Sequence, residues 1–141
     1  MYEELNKYIK EFEKDDSITD SFWAESASDD AIDMIDDFSD EDWEQLFQEL
    51  PNQSPVWKRR LESALVDTDN FNVVKALVVL AQTEEDMKHL SYVIDSLGFA
   101  QLESNEDTIM LLKRIQDLLK SENLYGKKVL NDFFEKNKHL M

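Results

Sequence analysis

Residues 39–65 read SDEDWEQLFQELPNQSPVWKRRLESAL. Ser39 stands before three acidic residues, which is the pattern of a helix N-cap followed by a first turn that complements the helix dipole. Pro51 ends this helix, and Ser54 and Pro55 start the next one, because serine is a favoured N-cap and proline is tolerated at the first helical position. The stretch therefore predicts two helices joined by a short turn.

The same helical signals continue on both sides of this stretch. Apolar residues recur at spacings of three and four, and capping residues separate the segments. The clear segments are 2–14, 29–38, 39–50, 54–67, 70–82, 83–97, 104–119 and a last one from about 123. A weaker segment carries Ile18 to Trp23, and Gly98 is expected to close the helix before it in the left-handed conformation. The segment 70–82 is apolar nearly all round and is predicted to be a buried central helix.

The composition selects an all-α fold. The chain has 141 residues with two glycines and two prolines, whereas β architectures need turn residues every 8–12 positions. We expect a single all-helical domain, 1–141, of about eight short helices. From Ser54 onward the short connections favour antiparallel helix pairs stacked as in a HEAT-like α-solenoid, and a compact helical bundle remains the alternative.

The sequence also predicts the compartment. It contains no cysteine, it shows no export signal in its first residues, and it has no apolar stretch of membrane-spanning length. We therefore expect a cytoplasmic protein that does not associate with membranes.

The charge is strong and uneven. Of a net charge of −17, residues 1–50 hold 18 acidic and 3 basic side chains, while residues 51–141 hold 14 and 12. The N-terminal part is thus strongly acidic and the C-terminal part is near neutral. Between Lys14 and Lys58 no basic residue occurs. Such a surface repels nucleic acid and anionic membranes and attracts basic proteins.

The centre of this charge is a run of nine carboxylates, here called the acidic segment. Its members are Asp29, Asp30, Asp33, Asp36, Asp37, Asp40, Glu41, Asp42 and Glu44. One interpretation is a solvated helix face with acidic residues that complement a helix dipole. The other is a partner-binding surface, since like charges at helical spacing destabilise a helix and no nearby cation compensates them. We predict that the acidic segment binds a basic partner.

The aromatic residues have two predicted roles. Trp43 and Trp57 lie on the apolar stripes of their helices and are expected in the core. Phe22 and Trp23 are adjacent and must point in different directions, so one of them is expected to be exposed as an interface anchor. We include Trp23 among the predicted partner-binding residues.

The search for catalytic chemistry is negative. No nucleophile elbow, phosphate-binding loop, dinucleotide fingerprint or zinc-binding motif occurs, and two glycines do not build a phosphate cradle. His89 and His139 lack a metal-ligand spacing, and the acidic stretches lack the glycine of a calcium loop. We therefore expect no catalytic residue, no metal and no cofactor. An enzyme using paired carboxylates is the remaining alternative of this class.

The stretch 39–65 resembles small HEAT-like immunity proteins of bacterial polymorphic toxin systems, including contact-dependent growth inhibition. The resemblance is carried by a capped acidic start, a Trp, Leu-Pro, and then Pro-x-Trp-x-x-Arg-Leu. It covers about a fifth of the chain. It implies a cytoplasmic, acidic and non-enzymatic protein that neutralises a cognate toxin domain by tight binding, often at the basic groove of a nuclease.

Charge and resemblance lead to one functional hypothesis. We expect a toxin inhibitor whose partner is a basic protein, namely the C-terminal domain of a cognate toxin, and not a nucleic acid. The alternative of the same binding class is an acidic adaptor or nucleic-acid mimic that occupies another basic protein. The acidic segment would drive either association electrostatically.

Overall fold

The computed structural model describes residues 1–13, 23 and 27–141 and confirms the all-α prediction. The α-helices of this part are α1 Tyr2–Glu13, α2 Ser28–Asp36, α3 Asp40–Glu49, α4 Pro55–Ala64, α5 Phe71–Thr83, α6 Met87–Leu97, α7 Glu106–Leu118 and α8 Lys127–Asn137. Short 3-10 turns cover Leu50–Asn52 and Lys138–Leu140. Within the described ranges no strand occurs and no helix is long and apolar enough to cross a membrane. The weak helix predicted around Ile18 to Trp23 lies outside these ranges except for its last residue.

The chain divides into two compact units, Met1–Val66 and Asp67–Met141. The charge boundary that the sequence suggested at residue 50 falls inside the first of them. The N-terminal unit carries 19 acidic and 6 basic side chains, and the C-terminal unit carries 13 and 9. The N-terminal unit therefore holds a net charge of −13 and the C-terminal unit −4.

The N-terminal unit is built on α1. This helix contacts α2, α3 and α4, and α2 also contacts α4. Trp57 is fully buried, and its indole N–H donates a 3.0 Å hydrogen bond to Asn6 Oδ1 on α1. Trp43 is buried as well, between the rings of Phe38 and Phe47. The prediction that both tryptophans belong to the core is confirmed.

The C-terminal unit is built on α5. This helix contacts α6 and α7, and α8 contacts the same two helices. Seven of the 13 residues of α5 are buried, as the apolar pattern predicted, and Asn70 caps its start through Asn72 N and Val73 N. The Arg114 guanidinium donates to the carbonyl oxygens of Ala81 and Glu84 at the other end of α5. Burial of that guanidinium lowers the pKa of Arg114.

The left-handed glycine is not the one that the sequence predicted. Gly98 caps α6 with φ −61°, so its predicted left-handed conformation is wrong. The backbone instead continues in a right-handed turn, in which Ala100 N donates to Leu97 O. The Ala100 side chain is buried. The left-handed glycine is Gly126, with φ 70°, directly before α8. A Cβ at Gly126 would stand 2.6 Å from Ser91 Cβ. Helix α8 begins at Lys127, beyond its predicted start near residue 123.

Two predicted helix starts are displaced by one or more residues. Asp86 caps α6, whereas Thr83 is the last residue of α5. Asn105 caps α7, and Ser104 Oγ donates to Leu140 O at 2.8 Å. In both cases the capping side chain belongs to a residue type that is favoured at the N-cap.

Candidate partner-binding surface

The first half of the acidic segment lies on α2. Ala31 and Ile35 are buried on one stripe of this helix, and the carboxylates occupy the remaining face. The start of α2 is fastened to α1 because the Tyr8 hydroxyl donates a 2.8 Å hydrogen bond to Ala27 O. The same hydroxyl lies 3.4 Å from Asp30 Oδ2, and burial together with the Asp30 charge raises the pKa of Tyr8. The acidic face of α2 is therefore held on a packed helix.

The second half of the acidic segment lies on α3. Ser39 and Asp42 form a reciprocal capping box, in which Asp42 N donates to Ser39 Oγ and Ser39 N donates to Asp42 Oδ2 at 2.9 Å. Trp43 and Leu46 bury the inner stripe of the helix. The helical periodicity leaves Asp40, Glu41 and Glu44 on the outer side of α3.

Most of the predicted carboxylates are accessible. Eight of the nine side chains of the acidic segment are exposed, and they are Asp29, Asp30, Asp33, Asp36, Asp37, Asp40, Glu41 and Glu44. Among the residues whose positions are given, none of these eight forms an ion pair with a lysine or arginine. The charge on this face is therefore uncompensated within the described part of the unit.

Asp42 differs from the other eight. It is half-buried, and besides closing the capping box it accepts a 3.0 Å hydrogen bond from Tyr2 N and lies 3.2 Å from the Met1 amino group. The hydrogen bonds from the Ser39 and Tyr2 backbone hold the pKa of Asp42 well below its usual range. Asp42 therefore joins α3 to α1. Its S-x-x-D spacing was visible in the sequence, whereas its contact with Tyr2 was not.

The helix dipole accounts for the position of some carboxylates of the acidic segment. Asp29 and Asp30 occupy the first turn of α2, where negative charge is favourable. Asp36 ends α2 and Asp37 is its C-cap, where negative charge opposes the dipole, and no basic residue lies in that last turn. These last two carboxylates lower the stability of α2.

Trp23 is corrected. It is 1% exposed, its ring lies 5.7 Å from the Tyr8 ring, and its indole N–H donates a 2.8 Å hydrogen bond to Arg60 O on α4. It joins α1 to α4 in the core, so the prediction that Trp23 supplies an exposed anchor is wrong. Adjacent aromatic residues do not reveal which one faces the core, and the neighbouring Phe22 lies outside the described residues.

No protein-family model, curated protein or solved structure matches the chain. The surface is therefore interpreted from its own residues. In the part of the chain with assigned positions, no group of three or more His, Asp and Glu side chains is arranged to hold a metal ion.

Proposed function

We propose that the chain is a cytoplasmic immunity protein that neutralises a cognate toxin domain by binding a basic surface of that toxin through the acidic segment. No catalysis and no cofactor enter this proposal. The partner class, a nuclease-type toxin, follows from charge complementarity with a groove that receives nucleic acid.

The carboxylates at the end of α2 carry the proposal. Asp33, Asp36 and Asp37 are exposed, and the last two oppose the dipole of their own helix. A purely structural role would favour lysine or arginine at these positions, because cations stabilise a helix C-terminus. Negative charge that lowers the stability of its own helix is explained if it serves another interaction. Binding of a cationic partner is such an interaction.

The expected mechanism is electrostatic steering followed by occlusion. A concentrated negative face raises the rate of encounter with a basic protein, and this effect falls as salt screens the charges. The packing of α2 and α3 on α1 holds the charges in place before binding, which limits the entropy lost in the complex.

The test is co-expression with the polypeptide encoded immediately upstream, with cell growth and co-purification as readouts. We expect rescue of growth and a stable complex with the unaltered chain. In a test variant four exposed aspartates of the acidic segment are reversed to lysine, namely Asp33, Asp36, Asp37 and Asp40. We expect this variant to lose rescue and to associate about 100-fold more slowly at low salt, with a weaker salt dependence.

The matched control applies the same change of charge to the C-terminal unit. It reverses four exposed carboxylates of that unit to lysine, namely Glu85, Asp95, Asp117 and Glu122. The control should retain rescue and most of the association rate. A toxic neighbour that is neither bound nor neutralised would argue against immunity and favour the acidic adaptor. Equal loss of binding in both variants would show that the acidic segment is not the specific binding surface.

A further inference from the structure

The C-terminal unit contains a cavity that the proposed function does not use. It lies between the start of α5 and the segment 101–108, which leads into α7, and its volume is about 550 Å³. Binding sites for small molecules commonly have volumes of about 300–1,000 Å³. The cavity is therefore large enough for an organic ligand.

The floor of this cavity is apolar. Val74, Val78 and Leu102 line it and are each buried to more than nine-tenths. Phe71, the first residue of α5, also lines it and is 56% exposed. An exposed aromatic ring beside an apolar floor suits methylene groups and organic cations.

Thr108 adds a polar group to the same wall. Its side chain lines the cavity, and the residue is 2% exposed. Its backbone N–H is bonded to Asn105 Oδ1, but its hydroxyl has no hydrogen-bond partner among the described residues. The unpartnered Thr108 hydroxyl is therefore available to a ligand in the cavity.

The remaining lining is polar and carries a net negative charge. It contains four carboxylates and one ammonium group, that of Lys75. The carboxylates belong to Asp69, Glu103, Glu106 and Asp107. Asp69 precedes α5, whereas the other three lie in or beside the first turn of α7, so negative charge stands on two separate segments of the wall. A ligand with cationic groups at both ends of an apolar chain complements this distribution.

We propose that this cavity binds a linear polyamine. The ammonium groups pair with the carboxylates of the two segments, the methylene chain packs on Phe71 and the apolar floor, and the Thr108 hydroxyl accepts a hydrogen bond from an amine N–H. The site lies wholly in the C-terminal unit. It is therefore independent of the acidic segment and of the proposed immunity function.

The test is titration of the full chain with spermidine at about 0.15 M salt, where surface charges are screened beyond about 8 Å. Calorimetry should give saturable binding of one molecule. Amide resonances that shift in an NMR titration should belong mainly to residues 68–78 and 101–108. A variant in which Asp69, Glu103 and Glu106 become amides should bind about tenfold more weakly, since each exposed ion pair contributes modestly.

The control variant removes the same charge elsewhere in the unit. It converts three exposed carboxylates outside the cavity to amides, namely Asp95, Asp117 and Glu122, and should bind within about twofold of the unaltered chain. Phe71→Ala should weaken binding about fivefold without altering carboxylates, through lost ring contact.

Three outcomes would overturn the proposal. They are absence of saturable binding, equal weakening in the two triple variants, and resonance shifts centred on residues 29–44. The last two would show diffuse attraction of a polycation to an acidic protein. None of these outcomes bears on toxin neutralisation.

Discussion

The two units use similar side chains in different ways. In the C-terminal unit, exposed lysines lie beside carboxylates three or four residues away on the same helix or turn, as in Lys128 with Asp132 at 3.1 Å and Lys120 with Asp117 at 3.2 Å. In the N-terminal unit, the eight exposed carboxylates of the acidic segment have no such neighbours among the described residues. Pairing of this kind stabilises a helix by only a few tenths of a kcal/mol. The acidic face of the N-terminal unit therefore lacks this local stabilisation among the described residues.

The cores differ as well. The three tryptophans of the chain, Trp23, Trp43 and Trp57, are all buried in the N-terminal unit. The core of the C-terminal unit is mainly leucine, isoleucine and valine, with Phe133 as its buried aromatic residue among those described. The indole N–H groups of Trp23 and Trp57 also join separate elements. Tryptophan fluorescence therefore reports on the N-terminal unit.

The largest expected effect concerns the tryptophan core. Trp57→Ala should lower the free energy of unfolding of the N-terminal unit by about 3–5 kcal/mol, because it opens a cavity and leaves Asn6 Oδ1 without its donor. Urea denaturation followed by the fluorescence of Trp23 and Trp43 measures the loss. Trp57→Phe keeps most of the buried ring and should cost about 1–2 kcal/mol. A similar small loss in both variants would contradict a central role for Trp57.

The next effect concerns the glycine that precedes α8. Gly126→Ala should lower the free energy of unfolding of the C-terminal unit by about 2 kcal/mol, since φ is 70° and a Cβ meets Ser91 Cβ at 2.6 Å. Thermal unfolding followed by circular dichroism measures it. Gly98→Ala is the matched control, because its φ is right-handed and the added Cβ lies 3.1 Å from Asp95 O. A larger loss at Gly98 would reverse our assignment of the two glycines.

The smallest effect separates Asp42 from its acidic neighbours. Asp42→Asn should lower the free energy of unfolding by about 1 kcal/mol at pH 7, because a capping carboxylate is weakened. The pKa of Asp42 is lower in the folded state than its usual value near 4, so its contribution is present above about pH 4 and is lost as pH falls further. The difference between the two proteins should therefore shrink on acidification.

The exposed Asp40 on the same turn provides the comparison for this pH effect. Asp40→Asn should change stability by less than about 0.5 kcal/mol, because the side chain is exposed. Urea titrations by tryptophan fluorescence at pH 7 and pH 3 distinguish the two positions. An Asp42→Asn effect that persists unchanged at pH 3 would show that the carboxylate charge is not what joins α3 to α1.

The sequence determined the helical class, most of the helices and the exposure of the acidic face. These features depend on interactions within a few residues: Ser39, Ser54 and Asn70 cap the helices that follow them, and spacings of three and four place Trp43 and Trp57 on buried stripes. The same periodicity left eight carboxylates of the acidic segment outside. Capping hydrogen bonds and the helical repeat involve residues that are close in sequence. They can therefore be predicted without knowing the tertiary structure.

The tertiary structure decided the features that depend on distant neighbours. Trp23 is buried because Tyr8 and the Arg60 carbonyl lie beside it, and Asp42 is engaged because the start of α1 supplies the Tyr2 N–H. The close approach at Gly126 involves Ser91, and the cavity lined by Thr108 depends on how α5 meets the segment before α7. Partners more than ten residues away fix each of these positions, because long-range packing selects among conformations that the local sequence permits equally.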